Sequence, residues 1–255
     1  MTHADRNYLV TAAAGGIGGE LVALLLNKGA RVCACDISSR RLGALAERHP
    51  EAADRLRTMK ADTADEAGVN AVRDAALSAF GALHGVANIA GGIVGIGEDI
   101  IDRPIDKISV DEFQQTVRLN LQSAFLMIRA LVPHFREKHY GKVANVASLA
   151  AFGNFYGMGN AGYDAAKAAV VGLTQTLSRS LGPDGIRVNV VAPGSVFTER
   201  VQASFSKEFI EMQRERIPLR ELTGPRDIAN ALAFLLSADS DQVSGETIRV
   251  SGGLR

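Results

Sequence analysis

The chain has little of what several protein classes require. Its 255 residues contain 28 basic and 28 acidic side chains, no tryptophan, and only two cysteines, Cys33 and Cys35. A net charge of zero provides no long-range field that would attract nucleic acid or an anionic membrane surface. Residues i and i+2 of a strand point to the same face, so the thiols are poorly placed to bridge each other, and alone they do not form a zinc site. We interpret them as small apolar residues of a buried strand, and we expect no metal, nucleic-acid or membrane partner.

Long apolar runs are missing as well. No run approaches the ~18 residues that a membrane-spanning helix needs. Residues 1–7 lack the basic segment, apolar stretch and cleavage site of a signal peptide. These features predict a cytoplasmic protein. Hydrophobic residues make up 47% of the chain, as in ordinary globular proteins. Because no linker, low-complexity tract or shift in composition occurs, we predict a single domain over residues 1–255.

Apolar segments of strand length alternate with helical patterns almost from end to end. Several segments are nearly continuous Val, Ile, Ala and Leu, which suits a parallel sheet covered on both faces. The pattern predicts an α/β fold: a single-domain Rossmann-type doubly wound parallel sheet of about seven strands, with helices on both faces. One long helix is predicted from about Val110 to Arg136, despite Pro133. Residues 194–224 are predicted to form a substrate lid at the carboxyl edge of the sheet, where ligands bind in such folds.

A glycine-rich loop, Gly15-Gly16-Ile17-Gly18-Gly19, lies between the first predicted strand and a helix. Glycines at such a turn let backbone amides approach a pyrophosphate, and the helix N-terminus adds a favourable dipole. Asp36 ends the next strand, 20 residues after Gly16. A carboxylate there can accept hydrogen bonds from both hydroxyls of an adenosine ribose. The loop, the helix and the acid together predict a dinucleotide site.

Asp36 also bears on which dinucleotide is bound. Its carboxylate repels a 2′-phosphate, which favours NAD over NADP. Ile37, directly after it, offers no compensating positive charge. Arg40 and Arg41 are evidence for the other choice, but we expect them in the exposed first turn of the following helix. The predicted cofactor is therefore NAD.

Tyr163 and Lys167 are four residues apart, which places them side by side on one face of a helix. A cation within about 4–6 Å favours a phenolate, so we expect Lys167 to move the pKa of Tyr163 from its usual ~10 toward neutrality. Ser148 follows an apolar strand and can hold a carbonyl oxygen in front of that phenol. Tyr156 also lies in this region, but the residue four positions on is Asn160, so it has no ammonium partner.

With these residues assembled, the chain resembles the classical short-chain dehydrogenase/reductase family over essentially its whole length. Thr11, Gly16, Ile17 and Gly18 are similar to that family's Thr-Gly-x-x-x-Gly-Ile-Gly motif, with Ala12 in place of its first glycine. The extra methyl group lies in a tight turn, so we expect a small change in the local backbone. Further segments similar to the family's are Asn88–Gly91, Asp62, Pro193–Thr198 and Gly245–Gly253.

The resemblance implies a reaction and a set of residues for it. The reaction is reversible hydride transfer between NAD and a secondary alcohol or ketone, with Tyr163 as general base. Lys167 would stabilise the phenolate, and Asn120 would hold a water linked to Lys167. The implied catalytic residues are Asn120, Ser148, Tyr163 and Lys167, and the implied cofactor contacts are Gly16, Ile17, Gly18, Asp36, Asp62, Asn88, Tyr163, Lys167, Val196 and Thr198. Without the resemblance, Asn120 is better interpreted as a polar residue that bends a helix for packing. The family usually forms homotetramers.

Two other functions stay open. One is a carbonyl reductase, including a 3-oxoacyl-thioester reductase, that works mainly in the reductive direction; Asp36 argues against it because reductive biosynthesis usually draws on NADPH. The other is a non-catalytic NAD-binding sensor, which would typically have lost one member of the Ser148, Tyr163 and Lys167 set.

The loop between Ser148 and Tyr163 is longer than is usual in the family, with an interval of fifteen residues. Its large apolar side chains are candidates either for an apolar substrate site or for packing in the core or a subunit contact. These side chains are Phe152, Phe155, Tyr156 and Met158.

Overall fold

The computed structural model describes residues 3–93, 103–153, 159–198, 203 and 205–254. Seven strands form one parallel sheet in the order β3-β2-β1-β4-β5-β6-β7. This arrangement confirms the predicted doubly wound sheet. The strands are β1 (Asn7–Thr11), β2 (Arg31–Asp36), β3 (Leu56–Lys60), β4 (Gly85–Asn88), β5 (Gly141–Val146), β6 (Ile186–Pro193) and β7 (Thr247–Val250).

Helices cover both faces of the sheet. The helices are α1 (Gly16–Asn27), α2 (Ser39–Glu47), α3 (Glu66–Phe80), α4 (Val110–Val117), α5 (Ser123–Glu137), α6 (Ala161–Leu181), α7 (Lys207–Arg216) and α8 (Pro225–Leu236). Neighbouring residues of β1 show how both faces are buried: Tyr8 and Val10 pack with α1, α2 and α8, whereas Leu9 packs with α3 and α5. Such burial on two sides explains why the strands are apolar without alternation.

The two cysteines of β2 lie in the second of these cores. Cys33 and Cys35 are buried and unbridged, as we interpreted them from the sequence. Burial raises the pKa of the Cys33 thiol to about 11 and that of Cys35 to about 12. Because the thiolate is the reactive form, both are packing residues at neutral pH.

The prediction of one continuous helix over Val110–Arg136 is wrong. Residues Arg118–Gln122 form a π-helical turn that separates α4 from α5. Within it, Asn120 Nδ2 donates to the carbonyl oxygen of Thr116 at 2.9 Å, so the side chain competes for the acceptor that an α-helical backbone would use. Pro133 is accommodated inside α5, as expected.

The chain reverses its direction of travel across the sheet between β1 and β4, which are neighbours although they are not consecutive. In open α/β sheets, ligands bind in the crevice at the carboxyl edge of this switch point. Thr11, at the end of β1, ties the two strands together there. Its Oγ1 accepts hydrogen bonds from the backbone N–H of Ile89 at 2.9 Å and of Ala90 at 3.0 Å.

The turn that leads from β1 into α1 is tight. Its first residue, Ala12, has a φ of 48°, in the left-handed region that favours glycine. The Ala12 carbonyl accepts a hydrogen bond from Gly15 N at 3.0 Å, and a Cβ on Gly18 would lie only 2.2 Å from the same oxygen. The glycine at position 18 is therefore required for α1 to pack against the turn, and the alanine at position 12 is strained.

We expect Ala12→Gly to stabilise the protein. A left-handed conformation costs an L-residue about 1–2 kcal/mol, and the entropy cost of glycine returns about 0.5–1 kcal/mol of this. The net gain of about 0.5–1 kcal/mol would raise the melting temperature by about 1–4 °C in a thermal scan. Ala14→Gly, in the same loop but without a positive φ, is the control and should lower it. A decrease for both variants would contradict the strain at Ala12.

Candidate active site

The start of α6 positions Tyr163 and Lys167. Asn160 caps this helix: its side-chain oxygen accepts a hydrogen bond from the backbone N–H of Tyr163 at 3.0 Å. This cap fixes where the helix begins and therefore which way Tyr163 and Lys167 face. Sequence analysis missed the role of Asn160, although an asparagine three residues before Tyr163 has the spacing of an N-cap.

Ser148 and Tyr163 lie together, as predicted. Ser148 follows β5, and its hydroxyl forms a hydrogen bond with the half-buried Tyr163 phenol. Burial raises the pKa of Tyr163, and the hydrogen bond from Ser148 opposes that rise. A substrate oxygen that replaces or shares this bond would contact both hydroxyls at once.

Lys167 is buried one helical turn further on, with 2% of its surface exposed. Its Nζ donates to the backbone carbonyl of Val146 at 2.8 Å and lies 5.6 Å from the centroid of the Tyr163 ring. Burial lowers the pKa of Lys167 to about 8. The expected movement of the Tyr163 pKa toward neutrality is wrong for this structure, since desolvation outweighs every favourable contact of the phenol.

Asn120 joins the π-helical turn to the loop after β4. Its Oδ1 accepts a hydrogen bond from Gly92 N at 2.9 Å, and its Nδ2 donates to Gly92 O at 2.8 Å as well as to Thr116 O. A Cβ on Gly91 would lie 2.6 Å from Asn120 Oδ1 and 2.9 Å from Lys167 Nζ. The structure thus brings Asn120 and Lys167 together around Gly91. The water predicted at Asn120 stays a prediction.

The N-terminus of α1 provides the features that a pyrophosphate needs. Its N-cap, Gly15, makes no side-chain capping bond, and the first turn carries no acidic residue. The backbone N–H groups of this turn are therefore available to an anion. Gly16 is exposed, and a Cβ there would lie 2.8 Å from Thr198 Cγ2. The glycine loop therefore packs directly against Thr198, in the segment after β6 that also contains Val196.

Asp36 lies at the carboxyl end of β2 and is 4% exposed. Its Oδ2 accepts a hydrogen bond from Ala14 N at 3.2 Å, and its Oδ1 accepts one from Ser38 N at 3.0 Å. Arg41 donates to the same Oδ1 at 3.0 Å. The two arginines do lie exposed at the start of α2, as expected. The ion pair of Arg41 with Asp36 was not foreseen.

Two of the predicted cofactor contacts are engaged within the protein. Asp62, after β3, accepts from Ala64 N at 2.8 Å and pairs with Arg118 of the π-helical turn at 3.1 Å. Asn88 is 4% exposed, and its Nδ2 donates to Asn145 Oδ1 of β5 at 2.9 Å. Asn145 Nδ2 in turn donates to Thr174 Oγ1 of α6 at 2.9 Å. Contact of Asp62 and Asn88 with a cofactor stays a prediction.

The apolar loop after Ser148 is described only in part. Phe152 packs against Leu149, Ile217 and Leu254, and the Arg249 guanidinium lies 4.3 Å from its ring centroid. This packing favours a structural role for Phe152. Phe155, Tyr156 and Met158 lie outside the described residues.

Two other kinds of site are absent from the described residues. Over these ranges, no helix is long and apolar enough to cross a membrane. Within the same part of the chain, no three His, Cys, Asp or Glu side chains are grouped so that they could hold a metal ion.

Comparison with known proteins places this geometry in a family. A family model described as enoyl-(acyl carrier protein) reductase matches residues 12–255. Levodione reductase of Leifsonia aquatica is 34% identical over 98% of this chain and 94% of its own length. 2-(R)-Hydroxypropyl-CoM dehydrogenase of Xanthobacter autotrophicus is 32% identical over 97% of this chain and 98% of its own.

A crystal structure of a related protein has the same fold. That of a 3-oxoacyl-[acyl-carrier protein] reductase from Brucella melitensis with bound NAD superimposes with a TM-score of 0.88, at 29% identity, over 99% of this chain and 92% of that one. The predicted family resemblance and the order of the strands in the sheet agree with these matches. The chain belongs to the classical short-chain dehydrogenase/reductase family, and it is an oxidoreductase.

Proposed function

We propose that the protein transfers a hydride reversibly between NAD and a small secondary alcohol or ketone. The observation that carries the proposal is the contact of Ser148 with Tyr163 beside the buried ammonium of Lys167. This group lies at the carboxyl edge of the sheet, at the end of β5 and the start of α6, beside the switch point where the glycine loop opens.

The residues present fit a dinucleotide. The uncapped first turn of α1 would hold the pyrophosphate, and Asp36 would accept the adenosine ribose hydroxyls. Because residue 16 is a glycine, no Cβ collides with the Thr198 side chain there. When bound, the nicotinamide ring accepts or supplies the hydride.

In the oxidative direction, Tyr163 in its phenolate form takes the proton from the substrate hydroxyl as general base and becomes a neutral phenol. Ser148 hydrogen-bonds the same oxygen and keeps it next to the phenol. Lys167 provides positive charge that stabilises the Tyr163 phenolate, and the hydrogen bond from its Nζ to Val146 O fixes the position of the ammonium. Gly91 and Asn120 lie beside this ammonium. In the reductive direction Tyr163 returns the proton to the carbonyl oxygen.

The choice of NAD rests on the carboxylate of Asp36, which would repel a 2′-phosphate. The related Brucella reductase with bound NAD supports the same choice. A 3-oxoacyl-thioester reductase working in the reductive direction is the second candidate, because that relative carries this activity in its name. Two substrate panels would separate these candidates: secondary alcohols with NAD, and ketones and 3-oxoacyl thioesters with NADH. The absorbance of NADH measures both reactions.

A non-catalytic sensor is disfavoured because the catalytic set is complete. We propose the cytoplasm as its location, since the reaction draws on the NAD of that compartment.

We also propose that the protein is a homotetramer. Val110 and Phe113 of α4 and Phe125 of α5 are 72%, 41% and 45% exposed, and exposed apolar side chains along one helical segment are typical of subunit contacts. Size-exclusion chromatography with light scattering should give about four times the 27.0 kDa mass of the chain. Phe125→Glu should reduce that mass, whereas Leu219→Glu, at an exposed residue distant in sequence, should not. A wild-type monomer would contradict the proposal.

Tyr163→Phe should abolish turnover while leaving NADH binding nearly unchanged. Loss of a general base lowers the rate by about 10²–10⁴-fold, whereas the phenol hydroxyl adds little to cofactor affinity. Initial rates and NADH fluorescence titration measure the two effects. Tyr156→Phe is the matched control, since it removes the same hydroxyl from a tyrosine without a lysine four residues on. Activity near wild type in the Tyr163 variant would refute the mechanism.

Lys167→Met should make the protein without cofactor more stable as well as inactive. The pKa of Lys167 is about 8 in the folded chain against 10.5 in its usual state, so the folded state disfavours the charged form at neutral pH. After allowance for the lost bond to Val146, the gain at pH 7 is about 1–2 kcal/mol.

The gain should depend on pH in a defined direction. Between about pH 8 and pH 10.5 the unfolded chain binds more protons at this lysine than the folded chain. The stability of the wild type therefore rises relative to the variant over this window, and the difference shrinks as pH increases. Melting temperatures of both proteins from pH 7 to pH 10 measure it. A difference that does not change with pH would show that burial of this charge is not the cause.

A further inference from the structure

The carboxylate of Asp36 is more crowded than a ribose-binding acid needs to be. Ala14 N and Ser38 N donate to its two oxygens, which fixes its position from the backbone on both sides. The Arg41 guanidinium then adds a third donor, at 3.0 Å from Oδ1. Since the two backbone donors already orient the carboxylate, the arginine contributes mainly charge.

Arg41 reaches Asp36 from the solvent side. Its side chain is 44% exposed, whereas that of Asp36 is 3% exposed. Within the described part of the chain, the guanidinium makes no other hydrogen bond, so most of its N–H donors face the solvent. Arg40 is its neighbour and is also exposed, but no ion pair joins Arg40 to Asp36.

The pair changes what the end of β2 presents to a ribose 2′ position. Asp36 alone would repel a 2′-phosphate strongly, because that group carries nearly two negative charges. A guanidinium at hydrogen-bond distance cancels much of the carboxylate field, and its free N–H groups can bind phosphate oxygens. The ribose hydroxyls of NAD, which are neutral, are affected less by either charge.

We propose that Arg41 is a positioning residue for cofactor selectivity. It screens the negative charge of Asp36, so that the preference of the protein for NAD over NADP is small. The inference rests on the proposed function, since it concerns the same cofactor. The two residues have different roles. Asp36 disfavours NADP, whereas Arg41 accounts for the affinity for NADP that the protein retains. The inference also predicts that Arg41 becomes a direct phosphate ligand once Asp36 is removed.

The test is a double-mutant cycle read by binding. Dissociation constants for NADH and NADPH are measured by the fluorescence of the reduced nicotinamide ring. The proteins are the wild type, Arg41→Ala, Asp36→Ala and the double variant. Arg40→Ala is the matched control, because it removes the same charge from the adjacent position.

Arg41→Ala should raise the dissociation constant for NADPH about fivefold and change that for NADH less than about twofold. Arg40→Ala should change their ratio less than about twofold, since exposed charges are screened by salt. Asp36→Ala should bind NADPH more tightly than the wild type does. Adding Arg41→Ala to that variant should remove the whole gain, so that the double variant binds NADPH no more tightly than the wild type does.

Equal effects of Arg40→Ala and Arg41→Ala on the ratio would overturn the inference, as would a gain in NADPH binding that survives in the double variant. If the wild type binds either nucleotide and one of these results appears, the inference fails alone. If the wild type binds neither nucleotide, the proposed function fails and takes the inference with it. Thermal melting of every variant shows whether each protein is folded in the titrations.

Discussion

An ammonium group buried at the carboxyl edge of the sheet is the constraint to which the rest of the site conforms. Lys167 has 2% of its surface exposed and is held by the carbonyl of Val146. Its burial costs stability, because desolvation penalises the charged form. The same burial strengthens its electrostatic effect on anything that reacts beside it. The enzyme therefore gives up some stability at a point where concentrated charge is useful for the reaction.

The elements around Lys167 are shaped to leave it that position. A Cβ on Gly91 would displace the ends of both the Lys167 and the Asn120 side chains. Asn120 in turn holds the loop after β4 through both atoms of its amide and bonds to its own helix. The π-helical turn is the visible result of that competition for the Thr116 carbonyl. The irregular backbone thus follows from the hydrogen bonds by which Asn120 holds the loop after β4 beside Lys167.

Much of this could be predicted from the sequence. The periodicity of strands and helices predicts the fold. Local spacing predicts the site residues, because a strand end, a turn or a helix face depends on residues close in the chain. These residues are the glycine loop, Asp36, Ser148, Tyr163 and Lys167. The missed features depend on distant residues or on competition between hydrogen bonds. The helix through Asn120 has an unbroken apolar pattern, so periodicity alone cannot show where a side chain takes a backbone acceptor.

Charge pairing was harder to predict than position. The sequence places Arg41 correctly in the first turn of α2, but only the turn at Ser38 brings its guanidinium back to Asp36. The pKa of Tyr163 shows the same limit. Spacing indicates that a lysine is near, whereas the balance between that charge and desolvation depends on how deeply both groups are buried.

The amide chain from Asn88 through Asn145 to Thr174 has a consequence for how the strands find one another. Asn88 and Asn145 are directly paired residues of β4 and β5, two apolar strands on which other side chains could exchange places at small cost. A slip of one residue would turn one amide to the opposite core, and a slip of two would separate the amides and break the hydrogen bond from Asn88 Nδ2 to Asn145 Oδ1. This series of hydrogen bonds therefore fixes the register of β4 against β5. It sets the relative height of the Gly91 loop and of Ser148, which follow these two strands.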